Sequence, residues 1–402
     1  MLNWKYAKYL ALFMLLVPCC VFASNLDQDI AAFNLITDYR LLFFGGVFVI
    51  FVQAGFAIVE GGYQFNLKSI FALLISYLSS ILGAVLFGLL CVGGIHFGVI
   101  DHPNDKPYFY SGWHRNLLFF YILMATTITT VVGRIIPNKS SLIMSWGVGL
   151  TISAIIFPFF SSWVWGNILW GGGWLKNIGF IDFAGSTVVH SAAAWVLLAG
   201  YLTLKSAGKE EEKKKNLIFE DYRILSFAVA GFILWLAWSG LNVVYITAIP
   251  VDVSVVVSNA FIALFTAFIA PLILVSAFDR RMISWNELIK SALGGLVAIT
   301  ASCGFVDYFT ATLIGAVAGL LTVYVPRTLI HRVTSRHVRD VIAVHGMCGV
   351  WGTLAVAMVE SSMGLSIAEA FVVQSFGVLV NFVWSFGLGY LVFKQLSKMN
   401  FL

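Results

Sequence analysis

Two histidines stand alone in apolar stretches of this 402-residue chain, where bilayer-spanning helices are expected. His190 follows two valines and precedes a run of small residues, and His345 follows Val344 and precedes Gly346. An ionisable side chain at membrane depth is costly and tends to face a bundle interior or a pathway. Imidazole could relay a proton there, because its unperturbed pKa is ~6.5 and its two nitrogens can donate and accept in turn. The alternative is structural, since a histidine among small residues can also form a helix-packing hydrogen bond.

The composition is typical of a membrane protein. Hydrophobic residues make up 60% of the chain and charged residues only 11%, and the mean hydropathy of +0.92 lies far above that of soluble globular domains. A bilayer span needs about 20 apolar residues, so the chain has room for ten or more helices. We do not expect a β-barrel, because the apolar segments are continuous rather than alternating.

The apolar segments predict an all-α polytopic membrane protein with eleven transmembrane helices. The expected spans are 40–62, 70–98, 116–136, 141–164, 184–204, 223–247, 253–278, 287–305, 308–330, 341–360 and 366–394. The largest hydrophilic insertion, 205–223, separates five spans from the next five, and an odd number per half places the halves in opposite orientations. We therefore predict a 5+5 inverted repeat plus one extra C-terminal helix. His190 and His345 then occupy the fifth span of each half, which favours a shared role.

The N-terminus predicts export. Lys5 and Lys8 precede an apolar run, and Val21-Phe22-Ala23 resembles a cleavage site. We interpret residues 1–23 as a signal peptide and 24–402 as the transmembrane domain. The cysteines beyond it fall in apolar segments without metal-ligand spacing, so neither a disulfide framework nor a metal site nor a cofactor is expected.

The basic residues test this topology. If the mature N-terminus lies outside, the outer connections contain only four basic residues, Arg40, Lys106, Arg115 and Lys176. The connections on the cytoplasmic side then contain eighteen Lys and Arg residues. This asymmetry fits the positive-inside rule and predicts a cytoplasmic C-terminus. The net charge of +5 is thus explained by topology, and no nucleic-acid partner is expected.

A motif precedes the first histidine. The run Asp182-Phe183-Ala184-Gly185 leads to Val189-His190, and the segments 51–60, 300–304 and 340–349 carry further matching patterns. Together these resemble the ammonium transporter (Amt/Mep/Rh) family over nearly the whole mature chain. The resemblance implies a multi-pass transporter of ammonium in the inner membrane, not an enzyme. It also implies a homotrimer in membrane lipid with one pore per subunit, in which His190 and His345 line the pore midway.

The physical chemistry of ammonium explains why such a pore contains imidazoles. Moving an unpaired hydrated cation into low dielectric is prohibitively expensive, whereas ammonia is small and neutral. A route that strips a proton at the mouth and conducts ammonia through an apolar pore would also reject potassium, which has no proton to give up.

The resemblance assigns roles to other residues at the outer mouth. Phe119 takes the position of the gate and recruitment ring, and Trp170 that of the mouth tryptophan, where rings hold ammonium by cation–π contact. Trp170 could instead anchor the chain at the membrane interface. Asp182 matches a buried aspartate and could also cap the fifth helix. Asn242 matches an asparagine of the sixth helix, for which a structural role is favoured.

Other positions depart from the family pattern. The second gating phenylalanine falls on Leu241, the mouth serine on Tyr245, and the outer aromatic ahead of Phe119 on Arg115. The chain stops at Leu402, shortly after the last span, so docking of a PII signal protein is doubtful.

Two rival hypotheses remain open. The first is an ammonium receptor or slow channel with the same fold, which Leu241 and Tyr245 suggest. The second is a membrane enzyme that uses the two histidines as acid and base or as metal ligands. It is disfavoured because no carboxylate or cysteine at ligand spacing accompanies them.

Overall fold

The computed structural model describes residues 40–41, 43–55, 67–90, 112–133, 135–136, 142–166, 173–204, 218–244, 251–279, 282–331, 333–359 and 364–398. The chain divides into two units, Met1–Arg40 and Leu41–Leu402, and every helix below belongs to the second. The predicted signal peptide lies outside the described residues. The described part of the chain is helical and contains no strand.

The helical stretches are labelled in chain order. They are α1 (Phe43–Gly55), α2 (Leu67–Leu90), α3 (Gly112–Gly133), α4 (Ile143–Trp165), α5 (Ser186–Thr203), α6 (Ile218–Val243), α7 (Val253–Asp279), α8 (Trp285–Ile299), α9 (Tyr308–Thr328), α10 (Arg336–Met358) and α11 (Ile367–Lys398). Among them α4, α5, α7, α9, α10 and α11 are long and apolar enough to cross a membrane. In lipid, a helix is favoured because it satisfies its backbone hydrogen bonds internally. These helices are therefore those of a multi-pass membrane protein.

Polar side chains cap the first turn of several of these helices. Asp252 accepts a hydrogen bond from the Ser254 amide at the start of α7 (2.8 Å), and Asp307 accepts one from the Thr310 amide at the start of α9 (2.7 Å). Reciprocal serine and glutamate bonds, the capping box, begin α8 and α11. Such caps satisfy amides that the first helical turn leaves without a partner.

The structure differs from the sequence prediction at the end of α8. The apolar pattern continued the span to residue 305, but α8 ends at Ile299 and the chain then forms tight turns. The amide of Ser302 donates to the Ile299 carbonyl, and that of Phe305 donates to the Ser302 carbonyl. Hydropathy cannot detect this change, because the residues remain apolar or small while the backbone leaves the helix.

Small residues allow the helices to approach closely. A Cβ added to Gly319 on α9 would overlap the backbone of Ala267 on α7, and one added to Gly352 on α10 would overlap the Ala298 carbonyl on α8. Van der Waals contact between backbones is a main source of helix association in membranes. These glycines therefore set the distance between neighbouring helices.

Two ion pairs lie at the end of the bundle that the sequence predicts to be cytoplasmic. Lys290 on α8 pairs with Asp340 on α10, and Arg327 on α9 pairs with Glu287 on α8. They connect three helices whose opposite halves are apolar.

Substituting Gly352 with alanine tests the close approach of α8 and α10. The new methyl group would meet a backbone carbonyl that cannot move without shifting α8, so the free energy of unfolding should fall by about 1–3 kcal/mol. The control is Gly387→Ala on α11, where an added Cβ meets nothing within 4 Å. Thermal unfolding in detergent should show a lower midpoint for the Gly352 variant alone, and equal midpoints for both variants would contradict the prediction.

Candidate functional site: a buried histidine pair

The two histidines predicted from the sequence are in direct contact. The Nδ1 atoms of His190 and His345 are 3.2 Å apart, and the two rings are nearly parallel with centroids 5.2 Å apart. His190 is 3% exposed and His345 is fully buried. In a neutral pair, one Nδ1 must donate and the other must accept, so the tautomer of one ring determines that of the other. A proton can therefore be exchanged between α5 and α10 through this one hydrogen bond.

Each histidine lies on a π-helical turn. His190 belongs to the turn Ser186–Ser191 at the start of α5, and His345 belongs to the turn Ile342–Met347 within α10. The amides of Val189 and His190 both donate to the Gly185 carbonyl, at 3.0 and 3.1 Å. Such turns insert an extra residue, change the direction of the side chains and recur at functional sites. The local backbone therefore orients both imidazoles toward each other.

Small and hydroxyl residues bring α5 and α10 together. A Cβ added to Gly349 on α10 would overlap the Ser186 carbonyl and the Ser191 hydroxyl on α5. One turn further along α10, the hydroxyls of Thr187 and Thr353 are 2.6 Å apart. These contacts surround the histidine pair and fix the separation of the helices that hold it.

Asp182 caps the start of α5 from within the protein. Its Oδ1 accepts from the amides of Gly185 and Ser186, both at 2.9 Å, and its Oδ2 accepts from those of Thr187 and Val188 at 2.7 and 2.8 Å. The side chain is 2% exposed. A carboxylate that satisfies four amides at a helix N-terminus also complements the helix dipole. Asp182 therefore caps α5. The sequence had suggested this role together with stabilisation of a cation.

Trp238 is a site residue that sequence reasoning missed. Its ring stacks on His190 with centroids 4.8 Å apart and an interplanar angle of 15°. Its indole Nε1 donates to the Thr300 hydroxyl (2.8 Å), which in turn donates to the Leu296 carbonyl (2.6 Å). Thr300 thereby holds the plane of the indole against the imidazole. The available signal was a large aromatic residue deep in α6, only four residues before Asn242.

The remaining predicted residues do not all join this cluster. Phe119 stacks on Phe43 of α1 at 5.9 Å and lies against Gly46, so its described contacts are with α1. Leu241 and Asn242 are buried on α6. Three further positions lie outside what the structure describes, namely Trp170, Tyr245 and the side chain of Arg115.

The chain is similar to known proteins over most of its length. The sequence model of the Ammonium Transporter Family matches residues 41–402. The chain belongs to that family. Ammonium transporter Amt2 of Archaeoglobus fulgidus is 29% identical over 400 residues, covering 88% of this chain and 81% of the relative. The ammonium transporter of Bacillus subtilis is 26% identical over 388 residues, covering 90% and 92%. The family is one of transporters rather than enzymes.

Solved structures share the fold. A sensor Amt protein superimposes with a TM-score of 0.74 at 30% identity, covering 92% of this chain and 96% of that one. Mep2 of Candida albicans superimposes with a TM-score of 0.71 at 18% identity, covering 88% and 83%. The second similarity concerns the fold alone. Both support an all-helical membrane-protein fold.

Substitutions of Asp182 test its capping role. Asp182→Ala leaves four buried amides without a partner, each costing about 1–3 kcal/mol, whereas Asp182→Asn keeps one carbonyl oxygen as an acceptor. Thermal unfolding should therefore rank the wild type above Asp182→Asn and Asp182→Asn above Asp182→Ala. Asp307→Ala is the matched control, because it removes an exposed cap worth about 1 kcal/mol. An Asp182→Ala midpoint no lower than that control would contradict the assignment.

Proposed function

We propose that this chain is an ammonium transporter of the inner membrane, in which ammonium is recruited and deprotonated at the outer mouth and ammonia passes an apolar pore lined by His190 and His345. The observation that carries the proposal is the 3.2 Å contact between the two Nδ1 atoms, buried among apolar helices. Family membership supports the substrate.

The proposed mechanism accounts for each proton as follows. Ammonium gives one proton to a base at the mouth and continues as neutral ammonia, which avoids the cost of an unpaired cation in low dielectric. That proton can cross the paired imidazoles: the ring that donates through Nδ1 regains a proton at its Nε2, and the ring that accepts at Nδ1 releases one from its Nε2 to water on the inner side. Ammonia regains a proton from water on the inner side. Potassium is rejected, since it cannot lose its charge.

The outer mouth and the assembly complete the proposal. Phe119, Trp170 and Tyr245 recruit ammonium, and Leu241 forms an aliphatic side of the gate. Asp182 adds negative charge below the mouth, and Asn242 supports the site from α6. Eleven spans form a 5+5 inverted repeat with an extra C-terminal helix, and three subunits assemble with the C-terminus in the cytoplasm.

A second candidate function is ammonium sensing. The observation that favours it is the 30% identity to a sensor Amt protein over 92% of this chain, together with the departures at Leu241 and Tyr245. Such a protein would bind ammonium at the mouth while passing little or none of it.

Electrical recording from proteoliposomes tests transport. An ammonium jump should evoke a current in the wild type, and His190→Ala or His345→Ala should reduce it by roughly tenfold or more, because the proton path is broken. His331→Ala is the control, since His331 is exposed at the end of α9 and should leave the current unchanged. The transport proposal fails if the wild type carries no current under any gradient.

Tyr245→Ser separates transport from sensing. Replacing the tyrosine side chain with the smaller serine should widen the outer mouth. A sensor would then gain current, whereas a transporter would change its apparent ammonium affinity with little change in maximal current. The measurement is the current as a function of ammonium concentration for both proteins. A large gain from an inactive wild type would favour the sensor.

A further inference from the structure

The buried face of α11 contains polar side chains that bond to the backbone of neighbouring segments. Trp384 donates from its indole Nε1 to the Ile156 carbonyl on α4 (3.0 Å). Near the start of α11, the side-chain amide of Gln374 lies against Ile181. In the orientation that satisfies both groups, this amide accepts from the Ile181 N–H and donates to the Ile181 carbonyl, at 3.1 and 3.3 Å. The face of α11 that packs into the bundle therefore forms hydrogen bonds as well as apolar contacts.

Two further residues on this face, Asn381 and Ser385, contain polar atoms without a hydrogen-bond partner among the described residues. These atoms are the Oδ1 and Nδ2 of Asn381 and the Oγ of Ser385. Both residues are fully buried. They are four positions apart on one helix, so their Cβ atoms lie about 5–6 Å from each other and their side chains share one face. We call these two residues the α11 polar pair.

The α11 polar pair faces the junction of α4, α5 and α11. Trp384 marks the direction of α4, to which it donates its hydrogen bond. Gly389 marks the direction of α5, since a Cβ added there would meet Val196 and Ala199 at 3.2 and 3.3 Å. At 3.6 residues per turn, Trp384 and Gly389 lie about 140° apart around α11, and the polar pair lies between them. Its side chains therefore point between the two neighbouring helices.

This junction lies on the far side of α5 from the histidine pair. Val196 and Ala199, which lie against α11, are about 120° and 180° around α5 from His190. His190 itself contacts His345 on α10 and Trp238 on α6. The backbone of α5 thus separates the α11 polar pair from the two imidazoles.

The hydrogen-bonding capacity of the pair selects its ligand. A side-chain amide has two N–H donors and a carbonyl acceptor, and a hydroxyl both donates and accepts. A cation could satisfy only the oxygens, and an anion could satisfy only the N–H and O–H groups. Water both donates and accepts, and a buried water typically makes about three hydrogen bonds with polar groups that lack other partners.

We propose that the α11 polar pair binds internal water at the junction of α4, α5 and α11. A molecule between the two side chains accepts from the Ser385 hydroxyl and donates to the Asn381 Oδ1, and a neighbouring molecule accepts from the Asn381 Nδ2. This water satisfies polar groups at a depth where lipid offers no hydrogen bonds. The site involves no ammonium, so it does not depend on the proposed function.

An experimental structure of the full chain, at a resolution that shows ordered water, tests the site directly. A water peak should lie within about 2.7–3.2 Å of both the Ser385 Oγ and a polar atom of the Asn381 amide. In Ser385→Ala that peak should weaken or disappear while α11 keeps its position. Direct hydrogen bonds from both side chains to protein groups, with no peak between them, would overturn the proposal.

A double-mutant cycle in detergent tests whether the two side chains share this water. Asn381→Leu and Ser385→Ala are compared singly and together by thermal unfolding. Either substitution alone disturbs the shared water, so the midpoint of the double variant should fall by less than the sum of the two single shifts. Shifts that add would show that the side chains act independently and would contradict a shared ligand.

Ser291→Ala combined with Asn381→Leu is the matched control. Ser291 is a fully buried serine on α8 whose hydroxyl donates to the Glu287 carbonyl (2.8 Å). Its shift should add to that of Asn381→Leu. If Asn381→Leu does not fold, the structures of the wild type and of Ser385→Ala decide, since neither requires that variant.

Discussion

The backbone contact between α5 and α10 is the constraint on which the rest of the site depends. Ordinary helix pairs are separated by 8–10 Å, with side chains filling the space between them. Here Gly349 lies directly on the carbonyl of Ser186 in α5, and one turn later Gly352 of α10 lies on the carbonyl of Ala298 in α8. At such a separation two imidazoles from different helices can share one hydrogen bond. Larger residues at these glycines would leave each ring as an isolated polar group in an apolar interior.

Polar groups at membrane depth are tolerated because they are satisfied locally. Asp182 binds four amides, Ser186 donates to the Val297 carbonyl, and Trp238 is held by Thr300. Each bond crosses between helices or caps one, so the same contacts that lower the cost of burial also hold the histidines in place. Exceptions among the described residues include the side-chain amides of Asn242 and Asn381, whose polar atoms are buried without a hydrogen-bond partner.

Much of the fold was accessible from local sequence properties. Long apolar segments predict membrane helices, and each labelled helix overlaps one predicted segment, although α6 begins at Ile218 and α10 at Arg336, both before the predicted starts at 223 and 341. The ends of helices were less accessible, because α8 ends at Ile299 although the apolar pattern continues. The eleven-span count and the inverted repeat remain predictions. At the site, a local motif drew attention to His190 and Asp182, whereas the stacking of Trp238 depends on the angle between α5 and α6. Phe119 was assigned by counting along α3, and its described contacts are with α1.

The sequence by itself determined that this is a helical membrane protein of the ammonium transporter type with two histidines at membrane depth. Hydropathy, charge asymmetry and short motifs are properties of neighbouring residues, so they can be read without the fold. Only the tertiary structure decided that the two imidazoles touch, although they are 155 residues apart, and that an indole held by a threonine covers one of them. Such contacts depend on small differences in the separation of neighbouring helices, which the cooperative packing of many small residues sets.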